Sequence, residues 1–170
     1  MQSSPAFVTL LLCYLSFLFL PQHFPKFLPL FFAPYLVRKF WELPKERVLL
    51  RAFLIGIFCD ISSSYLFGIH TLLYVGASIF SYRLQKIFLK DRLFSLSLTN
   101  TLFSLIFSSL AYPLLAFFNH RFSWSLSTTL LDIKNAILID FPYGMLIYLL
   151  PCTISLGICK IKVFRGLLCY

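Results

Sequence analysis

The sequence predicts an all-α integral membrane protein, one six-helix polytopic bundle spanning residues 1–170. Three observations predict it. Of 170 residues, 59% are hydrophobic and 12% charged, with a mean hydropathy of +0.86, whereas a soluble domain is about a quarter charged. Apolar runs recur between short polar segments, with neither a linker nor an internal repeat to divide the chain. The basic residues cluster between those runs, as topology markers do.

The same features exclude several classes. A net charge of +9 could suggest nucleic acid, but the cations are dispersed between apolar runs rather than gathered on a phosphate-binding face. Cys13, Cys59, Cys152, Cys159 and Cys169 are odd in number and form no CxxC, so they read as small hydrophobes rather than as a disulfide or metal set. GxSxG, HExxH and a phosphate-cradling glycine loop are all missing. His23, His70 and His120 are isolated along the chain. The sequence therefore predicts no enzyme, no cofactor and no metal.

Taken in order, Pro5 suits a first helical turn, and Ala6–Leu20 runs without a charge. With no basic n-region and no small-x-small cleavage site, it reads as a retained first helix. Pro21 to Lys26 is a turn. Phe27–Val37 is a second apolar run containing Pro29 and Pro34. It reads as a kinked helix reaching about Trp41, ahead of a re-entrant loop, because interior prolines free backbone groups that must be satisfied by neighbours.

The third helix starts near Val48, after Arg38, Lys39, Lys45 and Arg47. It carries Ala52, Gly56 and Asp60 at intervals of four, a small-residue stripe that lets another helix come close. Arg51 is nine residues from Asp60, half a turn out of phase, so the two cannot pair along one helix. The fourth helix runs from Ile69 to about Phe88 and continues the small face with Gly76, Ala77, Ser78 and Ser81. It ends in Arg83, Lys86, Lys90 and Arg92, which can snorkel. The fifth, Leu93–Phe118, carries Ser97, Thr101, Ser104 and Ser108 on one face, with Asn100 beside them. Such hydroxyls are packing glue between membrane helices, and Asn100 leaves a ligand pathway open. Asn119–Ala136 alternates apolar and polar residues like a segment at the membrane surface. The sixth helix runs from Ile137 to about Cys159, with Asp140, Pro142 and Gly144 in its first turns.

With a cytoplasmic N-terminus, twelve basic residues fall inside, against Lys26, Arg121 and Lys134 outside. The bias places both termini in the cytoplasm; a five-helix arrangement would split the clusters between the two sides. Both acids then belong to the outer half of the membrane. Ionisable groups at that depth are costly and need partners. Asp60 could bind a small ligand or proton, could pair with Asn100, His70 or a tyrosine, or could cap the bend through the amides of Ser62–Ser64. Asp140, near a helix N-terminus, is favoured there by the helix dipole. Gly68 supplies a backbone angle or a close approach where the chain turns back.

Gly56-x-x-x-Asp60, seven intervening residues, then Gly68 opening another apolar helix resembles the hairpin of the MreD family of rod shape-determining proteins. Chain length, the basic segment before the hairpin, and a last helix with Asn135 and Pro142 near its start are similar too. The sequence likeness is concentrated in Gly56–Arg83. Tyr65–Phe67 departs from the small residue or proline that relatives carry before the glycine. The resemblance implies a bundle similar to the substrate-binding subunits of energy-coupling-factor vitamin transporters. It also implies a non-enzymatic, cofactor-free scaffold in the bacterial inner membrane. Its partner would be the bitopic protein MreC, and through MreC the MreB filaments and the peptidoglycan synthases; a homodimer is left open. Ala52, Gly56, Asp60, Gly68, Ser97, Asn100, Thr101, Ser104 and Ser108 would then serve contacts between helices. The competing expectation is a small-molecule-binding membrane transporter subunit, with a polar cavity around Asp60, Asn100 and Asp140.

Overall fold

A computed structural model of the chain describes residues 4–23, 29–63, 67–84, 93–118 and 125–151, and among these every regular element is helical. Helix α1 spans Ser4–His23 and passes through Pro21. Its 20 residues reach about 30 Å, the thickness of a hydrocarbon core.

The second element departs from expectation. Instead of a kinked helix over Phe27–Trp41, α2 is a 10-residue helix, Ala33–Glu42, only about 15 Å long. The prolines set its start: Pro34 sits in the first turn, where no amide is needed, and Pro29 stays outside. Ala33, Pro34, Leu36 and Val37 are buried. The tyrosines of the last helix satisfy carbonyls near the start of α2: Tyr143 donates to the carbonyl of Phe31 at 3.1 Å, and Tyr148 to that of Pro34 at 3.0 Å. Phe40, at the other end, packs against Tyr82 and Phe103. A helix this short is held in place because protein surrounds it, most of its residues being buried.

Pro44 leads into α3 (Lys45–Ser62), whose buried face is Val48, Ala52, Gly56, Cys59 and Asp60. Helix α4 (Ile69–Leu84) folds back against it, and α5 (Leu93–Phe118) lies next to α4 and α2. The last helix starts earlier than the sequence suggests. Helix α6 begins at Leu126–Asn135, capped by Ser125 accepting from the amide of Ser127 at 3.2 Å. It widens into a π-helical turn over Ala136–Asp140 and resumes over 141–151. The 126–135 part of the expected surface segment is therefore helical, and its exposed Leu130, Leu131 and Ile133 lie on one continuous rod. Pro142 explains the widening. It has no N–H to give and crowds the carbonyl four residues back, and the turn just before it absorbs that misfit. Asp140 thus lies about 21 Å along the helix from Leu126, not in its first turns.

Among the described residues, three helices are long and apolar enough to cross a membrane: Ala6–His23, Phe94–Phe118 and Ser127–Pro151. The other three fall short of that measure, α3 by its charges and α2 and α4 by length. The exterior is apolar; Phe7, Leu54, Ile61, Phe94, Leu130 and Phe117 are each more than half exposed, which a soluble surface rarely tolerates in such density. The expected basic ends at Lys86, Lys90 and Arg92 and at Lys160, Lys162 and Arg165, the bend at 64–66, Trp124, and the helix end near Cys159 lie outside the described residues.

Candidate functional site

Asp60 is 3% exposed, and its carboxylate accepts three hydrogen bonds from the start of α4. The His70 amide donates to one oxygen at 2.8 Å. The Thr71 amide and hydroxyl donate to the other, at 3.1 and 2.6 Å. The amides of a first helical turn have no partner within their own helix, and an anion there also complements the helix dipole. Asp60 does cap a helix, but the helix is the one that follows. Of the expected Ser62–Ser64 amides, Ser64 lies outside the described residues, and the Ser63 amide and hydroxyl donate to the Asp60 carbonyl instead.

Gly56 makes that cap reachable. A methyl group on its Cα would sit 2.4 Å from the Cα of Thr71 and 2.9 Å from its nitrogen. These are backbone atoms and cannot move aside. One turn later, the same helix face delivers Asp60 to the same residue. The Gly56-x-x-x-Asp60 spacing is thus a single device, in which glycine sets the distance and aspartate makes the bonds. Gly68 turns the chain between the two helices with φ +99°, in the left-handed region. Arg51, out of phase with Asp60, donates instead to the Tyr35 hydroxyl at 2.7 Å and lies over its ring.

Asp140 is 7% exposed and ties three parts of the chain together. One carboxylate oxygen accepts the Leu30 amide at 2.8 Å. The other accepts the Ser104 hydroxyl of α5. Its backbone carbonyl accepts the Asn100 side-chain amide at 2.9 Å. In the π turn, the Phe141 amide bonds five residues back to Ala136, so the ladder is out of its usual register here. Gly144 leaves the room, since a Cβ there would meet Asn100 Nδ2 at 2.9 Å.

The remaining seam residues of α5 are accounted for individually. Ser97, Thr101 and Ser104 are buried, and Ser108 is half-buried. Thr101 bonds back to the Ser97 carbonyl at 3.0 Å. The Ser97 hydroxyl and Asn100 Oδ1 are buried without a hydrogen-bond partner among the described residues. Ala52 is fully buried. The structure does not bring Asp60 together with Asn100 and Asp140; the two carboxylates serve separate networks. Thr71 and Leu30 were not singled out from sequence, and Gly144 was named there without a role. Two of them had a signal, Thr71 as a hydroxyl residue in a first turn and Gly144 one turn beyond Asp140.

Two outward grooves are apolar. One, of about 450 Å³, lies between α1 and α3, and one of about 430 Å³ lies between α4 and α5. Neither is lined by Asp60, Asn100 or Asp140. Among the described residues, no cluster of three metal-ligating side chains occurs. Compared with known proteins, the chain matches no protein family, no characterised protein and no solved structure.

Proposed function

We propose that this is a polytopic membrane protein of the non-catalytic, scaffolding class. Its bundle crosses the bilayer six times, the second crossing made by the short α2 and the segment before it, with both termini cytoplasmic. Within that class we propose an MreD-type component of the bacterial rod-shape machinery. It would hold a bitopic MreC-like partner in the inner membrane and, through that partner, connect MreB-type filaments with peptidoglycan synthesis.

The observation that carries this reading is the spent state of both carboxylates. Every oxygen of Asp60 and Asp140 is engaged by groups of the chain itself, which suits parts that hold helices in register. A transported ion or metabolite would need free ligands in an open polar cavity. The small-residue stripe Ala52, Gly56 and Asp60 is used internally against α4, so a partner's single span would dock on an outward apolar face. One observation favours the transporter-subunit reading: the unpartnered Asn100 Oδ1 and Ser97 hydroxyl are acceptors and donors a small ligand could use.

Co-purification tests the choice. Tagged protein extracted in mild detergent should bring down a single-span protein with a periplasmic coiled coil. Recovery of a bound metabolite and no such partner would sink the scaffold reading. Topology has its own check in a chain whose native cysteines are serine. His120→Cys should react with an impermeant maleimide on intact cells, and Leu168→Cys only after lysis; the reverse pattern overturns the orientation.

A further inference from the structure

We infer that the groove between α1 and α3 is a binding site for an anionic phospholipid, with an acyl chain in the groove and the phosphate on Arg47 and Arg51. The inference rests on the membrane-spanning part of the proposal above and not on the identity of the protein partner.

The walls are apolar: Phe7, Leu10 and Tyr14 from α1, and Leu54, Ile55 and Phe58 from α3. Its direction follows from its residues. Tyr14 and Phe17 meet Phe58 ring to ring. From that contact the walls extend to Phe7 on α1 and to Leu54 on α3, toward the N-terminal end of both helices. Arg47, Arg51, Leu54 and Phe58 are spaced by four, three and four residues, so they form one stripe of α3. The lipid-facing wall therefore continues directly into two arginines. Arg51 is one turn beyond Leu54, and Arg47 is about 10 Å beyond it, within the combined reach of a headgroup and a long side chain.

These arginines are free to take an anion. Glu42 forms ion pairs with Arg38 and Lys39 on α2. Among the described residues, Arg51 bonds only to the neutral Tyr35 hydroxyl, and Arg47 is exposed at the start of the helix. The proposed topology puts this end of α3 at the cytoplasmic leaflet, where anionic lipids lie and basic residues attract them. A groove of about 450 Å³ accommodates an acyl chain, and a lipid combines a flexible chain with one localised negative charge.

The full-length protein, delipidated in mild detergent, is titrated with phosphatidylglycerol or phosphatidylcholine of identical chains, and bound lipid is read by native mass spectrometry. Phosphatidylglycerol should be preferred, and Arg47→Gln should weaken it about fivefold, the effect of one basic residue at an anionic surface, without changing phosphatidylcholine. Arg47→Lys should restore the preference. Leu54→Trp, which fills the groove, should weaken both lipids alike, with size exclusion reporting an intact fold. Equal binding of the two lipids by the unaltered protein, or a phosphatidylglycerol affinity that Arg47→Gln leaves unchanged, overturns the proposal. So does Leu54→Trp releasing a co-purified single-span protein while lipid binding stays unchanged, because the occupant is then a helix. Should the membrane reading itself be wrong, carbonate would extract the protein into the supernatant, a result separate from all of these. A missing cell-wall partner would leave the lipid titration untouched.

Discussion

The two buried carboxylates do the same job in contrasting ways. Asp60 reaches groups ten and eleven residues away, closing a local hairpin. Asp140 reaches the Leu30 amide, 110 residues away in sequence, and fixes the turn that leads into the buried α2. Asp60 provides acceptors for amides that a helix start leaves unpaired, whereas Asp140 accepts from an amide in the turn before α2. Where the distance is short, a glycine on the same face is enough to position the acid. Where it is long, the helix ladder itself shifts register, through the π turn before Pro142, and a second glycine admits Asn100. Each buried carboxylate is thus matched to a backbone amide.

Substitutions can break that parallel, starting with the largest effect. Gly56→Leu drives a side chain into the backbone of Thr71, so α3 and α4 must part. The cost should be about 3 kcal/mol or more, at the upper end for overpacking, read as a lowered melting temperature in detergent and lost abundance. A normal melt would show that the hairpin is not held by that contact.

Next come the acids themselves. Asp60→Leu and Asp140→Leu each leave buried donors unpaired, at about 1–3 kcal/mol per group. Hydrogen exchange separates them: Asp60→Leu should deprotect the first turn of α4 alone, whereas Asp140→Leu should deprotect residues 30–36 and leave α4 unchanged. Identical patterns would end the distinction between local and long-range caps. Asp60→Asn keeps one accepting oxygen and should retain normal abundance. If cell shape fails at that abundance, the negative charge is needed for more than capping.

The smallest effect sharpens the contrast on the Asp140 side. Gly144→Ala pushes on the movable end of Asn100 and not on backbone. It should cost about 1 kcal/mol, the worth of one hydrogen bond, with Asn100→Ala adding little on top of it. Fully additive losses would show that Gly144 acts elsewhere.

The local device was legible because its parts sit within one stretch: Gly56, Asp60 and Gly68 each carry a chemical reason that spacing alone exposes. Helix α5 was equally plain, its expected bounds Leu93–Phe118 matching those observed, because an unbroken apolar run needs no distant partner. Helix α2 was read as too long. Two prolines in an apolar run fit either a kinked span or a short buried helix, and only the surrounding tyrosine and aspartate contacts choose between them. Helix α6 was read as starting too late, because Leu126–Asn135 has a mixed pattern and Asp140 with Pro142 imitates a first turn.

By itself the sequence determined the helical class, the apolar exterior and the small-residue stripe of the hairpin, since these follow from hydropathy, period and backbone preference over a few turns. Tertiary structure alone decided which orphan amides the acids would meet, how short α2 could be, and that the two carboxylates work apart. Those outcomes depend on which segments pack side by side, and a buried polar group takes whatever partner that packing brings within hydrogen-bonding distance.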